Sequence, residues 1–144
     1  MENQQQPIII EHFYNVSKEK LWEAITNPKE MQEWYFNNIP DFKTEIGFTT
    51  QFNIKSHTRD FNHIWTVTNV VLQNKITYTW VFEGITGKSS TCFEISGNQN
   101  QSILKLTATV LEPFPSNIPE FERESGIDGW NYFIKKQLDS YLNS

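Results

Sequence analysis

The chain has 144 residues, 38% of them hydrophobic and 20% charged, with a net charge of -5. That length suits one domain, and the composition is neither that of a disordered chain nor that of a fibre. Its 12 Lys and Arg are scattered, with Lys135-Lys136 the one adjacent pair. Without a basic stripe to neutralise several phosphates, no nucleic-acid partner is expected. A lone cysteine, Cys92, excludes an internal disulfide and a cysteine-rich zinc site. Met1 leads into a Gln-rich stretch, not a basic then apolar one, and no apolar run is long enough to span a bilayer. The expectation is a cytoplasmic protein with no membrane partner. Aromatic side chains stand out, with Phe 11, Trp 5 and Tyr 5. They supply large buried areas and also line ligand cavities.

Residues 1–6 read as a frayed polar tail ahead of a single domain at 7–144. Pro7 to Tyr14 is a β-rich run. Ser17 then offers a helix cap, with Leu21, Trp22 and Ile25 facing inward. Asn27-Pro28-Lys29-Glu30 restarts the helix with an Asn cap and Pro at its first position, and Met31, Trp34 and Tyr35 form its apolar edge.

From Asp41 onward the period is two. Phe48, Phe52 and Ile54 share a face, and Gly47 marks a turn or bulge before them. In the strand at 61–72 two inward faces compete, Ile64/Val70 against Trp65/Val67/Val71. Ile76, Tyr78, Trp80 and Phe82 line one face of the next strand, Thr91, Phe93 and Ile95 that of another. Gly97-Asn98-Gln99-Asn100 makes a hairpin turn into Leu104, Leu106, Ala108 and Val110. Glu112 to Pro119 is a proline-punctuated loop.

Pro119 to Leu142 reads as one long amphipathic helix, with Ile127, Trp130, Ile134, Leu138 and Tyr141 recurring at spacings of three and four. Phe133 sits at the edge of that stripe. Arg123, Gly126 and Gln137 fall in the same arc as Trp130, which puts a guanidinium, a gap and an amide on a face that aliphatics would normally fill. Strands joined by short turns must be antiparallel, and their outward faces of Thr, Ser, Lys and Asn imply one polar side without an apolar patch. The aromatic side needs a cover, and the last helix is long enough to supply it. The fold class is α+β: six to seven antiparallel strands wrapped on a C-terminal helix, with two short helices after the first strand.

This order, and the run Val16-Ser17-Lys18-Glu19-Lys20-Leu21-Trp22-Glu23-Ala24-Ile25-Thr26-Asn27-Pro28-Lys29, resembles the START-like (SRPBCC, helix-grip) domains. More narrowly it resembles the branch named for homologues of the activator of the heat-shock protein 90 ATPase. Trp34, Glu45-Ile46-Gly47, Ile76-Thr77-Tyr78-Thr79-Trp80, and Gly129-Trp130 followed by Leu138 and Tyr141-Leu142 match that branch in order. The resemblance implies a curved sheet gripping the long helix around a cavity. It also raises two other roles, a chaperone accessory factor in stress response and an enzyme of cyclase or dehydratase type.

Chemistry-bearing clusters are sparse. His12 alternates with Ile8 and Ile10, while His57 and His63 flank the Thr58-Arg59-Asp60 turn and are expected in solvent. No His pair has metal-ligand spacing, and no phosphate loop, nucleophile elbow or Cys-His pairing appears, so no cofactor, metal or catalytic residue is expected. The expected ligand is a small hydrophobic molecule of aromatic or acyl type. Trp130 and Trp80 would stack on it, with Phe52 and Phe93 as walls and Trp34 at the mouth. Phe48, Tyr78, Leu106 and Ile134 complete the lining, and Gln137 or Arg123 is the polar anchor.

Overall fold

A computed structural model describes residues 6–56 and 58–143. Of the expected tail only Gln6 is among them, and His57 also lies outside the described residues. Six strands form one antiparallel sheet: β1 (Ile8–Tyr14), β2 (Thr49–Ser56), β3 (Arg59–Val71), β4 (Lys75–Phe82), β5 (Ile85–Gly97) and β6 (Ser102–Glu112). Their spatial order is β1-β6-β5-β4-β3-β2. The chain therefore crosses from one edge to the other after β1, through α1 (Lys18–Thr26) and α2 (Pro28–Trp34). It then returns by successive hairpins.

The helix pair forms where the sequence punctuates it. Ser17 Oγ accepts from the Lys20 N–H at 3.0 Å. Asn27 closes α1 through its own N–H to Glu23 O, and opens α2 by accepting the Lys29 N–H on Oδ1 at 2.9 Å. Pro28 follows at the position where a missing N–H does least harm. The indole of Trp34 then donates to Ala24 O at 2.8 Å, tying the two helices together.

Register shifts between Val67 and Asn69, Trp80 and Phe82, and Lys88 and Ser89 bend β3, β4 and β5. The first resolves the two competing faces of β3. Phe61, His63, Trp65 and Val67 point into the core, the bulge changes the parity, and Val70 is the next residue packed inward. His63, expected in solvent, is only 5% exposed. The β2–β3 turn is so tight that β3 already runs from Arg59, which puts His63 in phase with Trp65.

The closing helix is not one uniform α-helix from Pro119. A 3-10 turn at Pro119–Phe121 ends at Glu122, whose ψ of 147 is extended; α3 (Arg123–Asn131) begins after it. A π-helical turn at Tyr132–Gln137 then separates α3 from α4 (Leu138–Leu142). Within it the Leu138 N–H bonds to Phe133 O, five residues back, and not to Ile134 O. Ile134 O is taken instead by the Tyr14 hydroxyl at 2.6 Å. The buried stripe is Trp130, Ile134, Leu138 and Leu142, all four apart. At 3.6 residues per turn that spacing drifts about 40° per step, and the wider π turn brings it back into line. Tyr141 is thereby left half-buried beside a fully enclosed Leu142.

The outer face of the sheet is not uniformly polar as expected. With Ile10 and Tyr14 committed inward, alternation turns Ile9 and Phe13 out, and Phe13 faces the exposed Ile103 of β6.

Candidate functional site

The interior between sheet and closing helix has a filled end and an open one. At the filled end Trp34, Tyr35, Ile76, Phe93, Leu104 and Ile134 pack without gaps in accessibility, each 7% exposed or less. At the other end lies a cavity of about 650 Å³. Its sheet wall is Ile54, Phe61, His63, Trp80 and Phe82 from β2, β3 and β4, with Ala108 and Val110 from β6. Gly126 and Trp130 of α3 form the helix wall, and Phe114, Ile118 and Phe121 come from residues 113–122, a strap between β6 and α3. Two of the three register shifts in the sheet fall at this wall, beside Trp80, Phe82 and Ser89.

The strap is held by aromatic stacking and one polar cluster. Phe114 stacks on Phe121 at 4.7 Å, and Phe121 also meets Phe82 at 5.2 Å and Phe61 at 5.5 Å. Gly87, at φ 116, is required here, because a Cβ at that position would lie 2.3 Å from Phe114 Cδ1. Ser56 Oγ donates to Glu120 Oε2 at 3.0 Å, and Arg59 Nε lies 3.6 Å from Glu120 Oε1. The tip of the β2–β3 hairpin thus grips the strap. Arg123 donates to the backbone carbonyls of Gln6 at 2.6 Å and Pro7 at 3.3 Å, which tethers the start of β1 to the base of α3.

His63 is the most polar group of the sheet wall. Its ring is stacked on Phe52 at 5.0 Å and meets the edges of Phe82 and Trp80 at 4.7 and 5.3 Å. Burial lowers its pKa from 6.5 to about 4, against a smaller opposing effect of the hydrogen bond to Phe61 O. The ring is therefore neutral at ordinary pH, and its Nδ1–H donates to Phe61 O at 2.9 Å. Trp80 buries its indole N–H beside it with no acceptor among the described residues. Trp65, the cross-strand partner of Trp80 on β3, does the same. Each such orphan costs about 1–3 kcal/mol.

Of the residues expected to form the site, Trp80, Arg123 and Trp130 line this cavity. Phe52 stands directly behind His63. Trp34 is not at the mouth but buried in the filled end, stacked on Tyr35 at 4.5 Å. Tyr78 shares a hydrogen bond with Tyr35 at 3.1 Å and stacks on Phe93 at 5.8 Å, so both are core. Leu106 and Ile134 are fully enclosed there too. Phe48 packs against Phe42 at 6.2 Å, and Gln137 is half-buried on the π turn; neither lines the cavity. Sequence reasoning passed over His63, Phe61, Phe114 and Phe121. The two strap phenylalanines sit in a segment that proline marks as a loop, and a loop gives no period from which to read a face.

His12 does face the closing helix, 3.4 Å from Asp139 Oδ1, but outside the cavity lining. No group of three His, Cys, Asp or Glu able to hold a metal occurs among the described residues. None of their helices is long and apolar enough to cross a membrane.

This architecture, a bent antiparallel sheet closed on a C-terminal helix over a one-ended cavity, defines a START-like, helix-grip domain. Residues 15–143 match the family model described as Activator of Hsp90 ATPase homolog 1-like protein, and the chain belongs to that family. Among proteins of curated function none matches the sequence. Solved structures share the fold at low identity. A protein from Chromobacterium violaceum is 16% identical over 96% of this chain and 98% of its own, with a TM-score of 0.79. One from Mesorhizobium loti is 23% identical over 96% and 97%, with a TM-score of 0.72. DynU16, a protein in the dynemicin biosynthetic locus, is 16% identical with a TM-score of 0.76, and 96% of this chain spans 48% of its length.

Proposed function

We propose that this chain binds a small, mostly apolar molecule of aromatic or acyl type in the cavity beneath the strap, without catalysing a reaction on it. The observation that carries this reading is the asymmetry of the interior. The same aromatic-rich sheet face that is filled beneath the π turn meets α3 at the Trp80–Trp130 contact of 5.6 Å and parts from it beyond, leaving about 650 Å³. That lies within the roughly 300–1,000 Å³ typical of pockets for drug-sized molecules. Ligand binding, as opposed to acid–base work, is favoured by His63, the one buried imidazole among the described residues. Its orienting partner is a carbonyl and not a carboxylate, and a base with a pKa near 4 is weak at neutral pH. Titration with planar hydrophobic dyes, followed by quenching of Trp80 and Trp130 fluorescence, tests the reading. Saturable quenching that is lost in Gly126→Leu, which fills the cavity from the helix side, is the expected result. An unchanged signal in that variant would remove the cavity as the binding site.

The family's name supplies a second reading, an accessory factor for heat-shock protein 90, and one observation favours it. Ile9, Phe13 and Ile103 stand 55%, 50% and 45% exposed on adjacent strands of the outer sheet face. Pull-down of purified chaperone by wild type, lost in Ile9→Ser/Phe13→Ser, is its expected signature.

A further inference from the structure

The ligand of this cavity has a recognisable chemistry. His63 is 5% exposed and its ring forms part of the cavity wall. Its Nδ1–H is committed to Phe61 O, so Nε2 carries the free lone pair and is an acceptor. No group among the described residues donates to Nε2. Nε2 is not sealed as the Trp80 and Trp65 indole nitrogens are, so it opens to the cavity and takes its donor from whatever occupies that space.

The rest of the wall sets what that something is. The imidazole is enclosed by Phe52, Phe82, Trp80 and Phe36, with ring centroids between 4.7 and 5.3 Å. Among the described residues no cation belongs to this cluster of rings. Arg59 pairs with Glu120, and Arg123, although it lines the cavity, turns its guanidinium to the Gln6 and Pro7 carbonyls at the start of β1. A carboxylate brought to Nε2 would meet a lone pair and aromatic rings, without a charge to offset its desolvation. A hydroxyl on an aromatic body satisfies both demands, donating to Nε2 while the rings stack.

We infer that the site selects a neutral aromatic hydroxyl compound, with His63 Nε2 accepting the hydrogen bond from its hydroxyl and acting as the specificity-determining atom. This rests on the cavity reading above. The indole N–H of Trp80 is not assigned a role in it, because that atom is sealed beneath its neighbours.

The test uses three probes of one shape: 2-naphthol, 2-methoxynaphthalene, which lacks the donor, and 2-naphthoate, which is anionic. In the wild-type protein 2-naphthol is expected to bind about tenfold or more tighter than either of the others. In His63→Phe, which keeps the aromatic volume and loses the acceptor, the naphthol is expected to fall to the level of its methyl ether, whose own binding holds. Should His63→Phe fail to fold, the nitrogen-15 resonance of His63 Nε2 in the wild type decides. It is expected to shift towards the hydrogen-bonded range with 2-naphthol and to stay still with the ether. Equal binding of naphthol and ether to the wild type, or tighter binding of the naphthoate, overturns the inference and leaves the cavity reading standing. Absence of binding by all three overturns both.

Discussion

The two ends of the space between sheet and closing helix are built from the same kinds of residue, yet they differ in how their polar atoms are treated. Beneath the π turn, polar atoms of the buried aromatics are matched: the Tyr14 hydroxyl donates to Ile134 O, the Trp34 indole to Ala24 O, and the hydroxyls of Tyr35 and Tyr78 meet. Beneath the strap, Trp80 buries an indole N–H and His63 leaves Nε2 open, neither with a partner among the described residues. Trp65, packed on Tyr35 and Tyr78 and outside the cavity lining, is the exception at the filled end. Apart from it, the aromatic hydrogen bonding described is complete at one end and incomplete at the other. A closely packed end and a cavity therefore share one sheet.

That contrast is broken most directly by truncating one tryptophan at each end. Trp34→Ala removes a side chain 1% exposed, its bond to Ala24 O, and the stacking on Tyr35. A loss of about 3–5 kcal/mol is expected in urea denaturation. Trp80→Ala removes a half-buried ring beside space that is already empty, and also removes an orphaned N–H. Its expected loss is about 1–2 kcal/mol smaller, with ligand binding abolished. Equal losses would mean that the open end is packed as firmly as the closed one.

A second, somewhat smaller effect sharpens the comparison through pH. Burial holds the folded pKa of His63 at about 4, below its ordinary 6.5. Between those values the unfolded chain takes up a proton that the folded protein refuses, so stability rises with pH across the window. It is fully present above about pH 6.5 and is lost as pH falls towards 4. Going from pH 7 to 4.5 is expected to cost wild type about 2–3 kcal/mol more than His63→Phe, by paired urea titrations. Parallel pH profiles would show that His63 is not held neutral in the fold.

How much of this was legible in the sequence follows from which features have a period or a local cap. Ser17 and Asn27 cap their helices as expected, and the alternations from Ile76 to Phe82 and from Leu104 to Val110 give the correct inward face. The β3 faces stayed ambiguous because a bulge changes parity within the strand, and no single alternation describes both halves. The π turn is equally hidden. Its signature is a carbonyl released to Tyr14, a residue 120 positions away in the chain. The anchor residues among the expected site members were legible as apolar, but whether an apolar residue faces another residue or an empty volume depends on where the strap lies. The strap's position is set by long-range contacts, Phe114 over Gly87 and Glu120 at Ser56, that no local pattern encodes.

The strap contact is also the finest test of the difference between the two ends. Gly87→Ala introduces two penalties at once, a φ of 116 that L-residues rarely adopt and a Cβ 2.3 Å from Phe114 Cδ1. A double-mutant cycle with Phe114→Ala separates them, since the backbone strain persists in both backgrounds while the collision exists only when the ring is present. Gly87→Ala is expected to cost about 1–2 kcal/mol more with Phe114 than without it. If the ring relieves the collision by swinging off Phe121, the strap loosens along with it. Stopped-flow release of a bound hydrophobic dye should then quicken several-fold in Gly87→Ala, while exchange of the amides in β1 and the π turn stays at the wild-type rate. Faster exchange at those amides would show that the two ends open together, and that the cavity is not an independently yielding part of the fold.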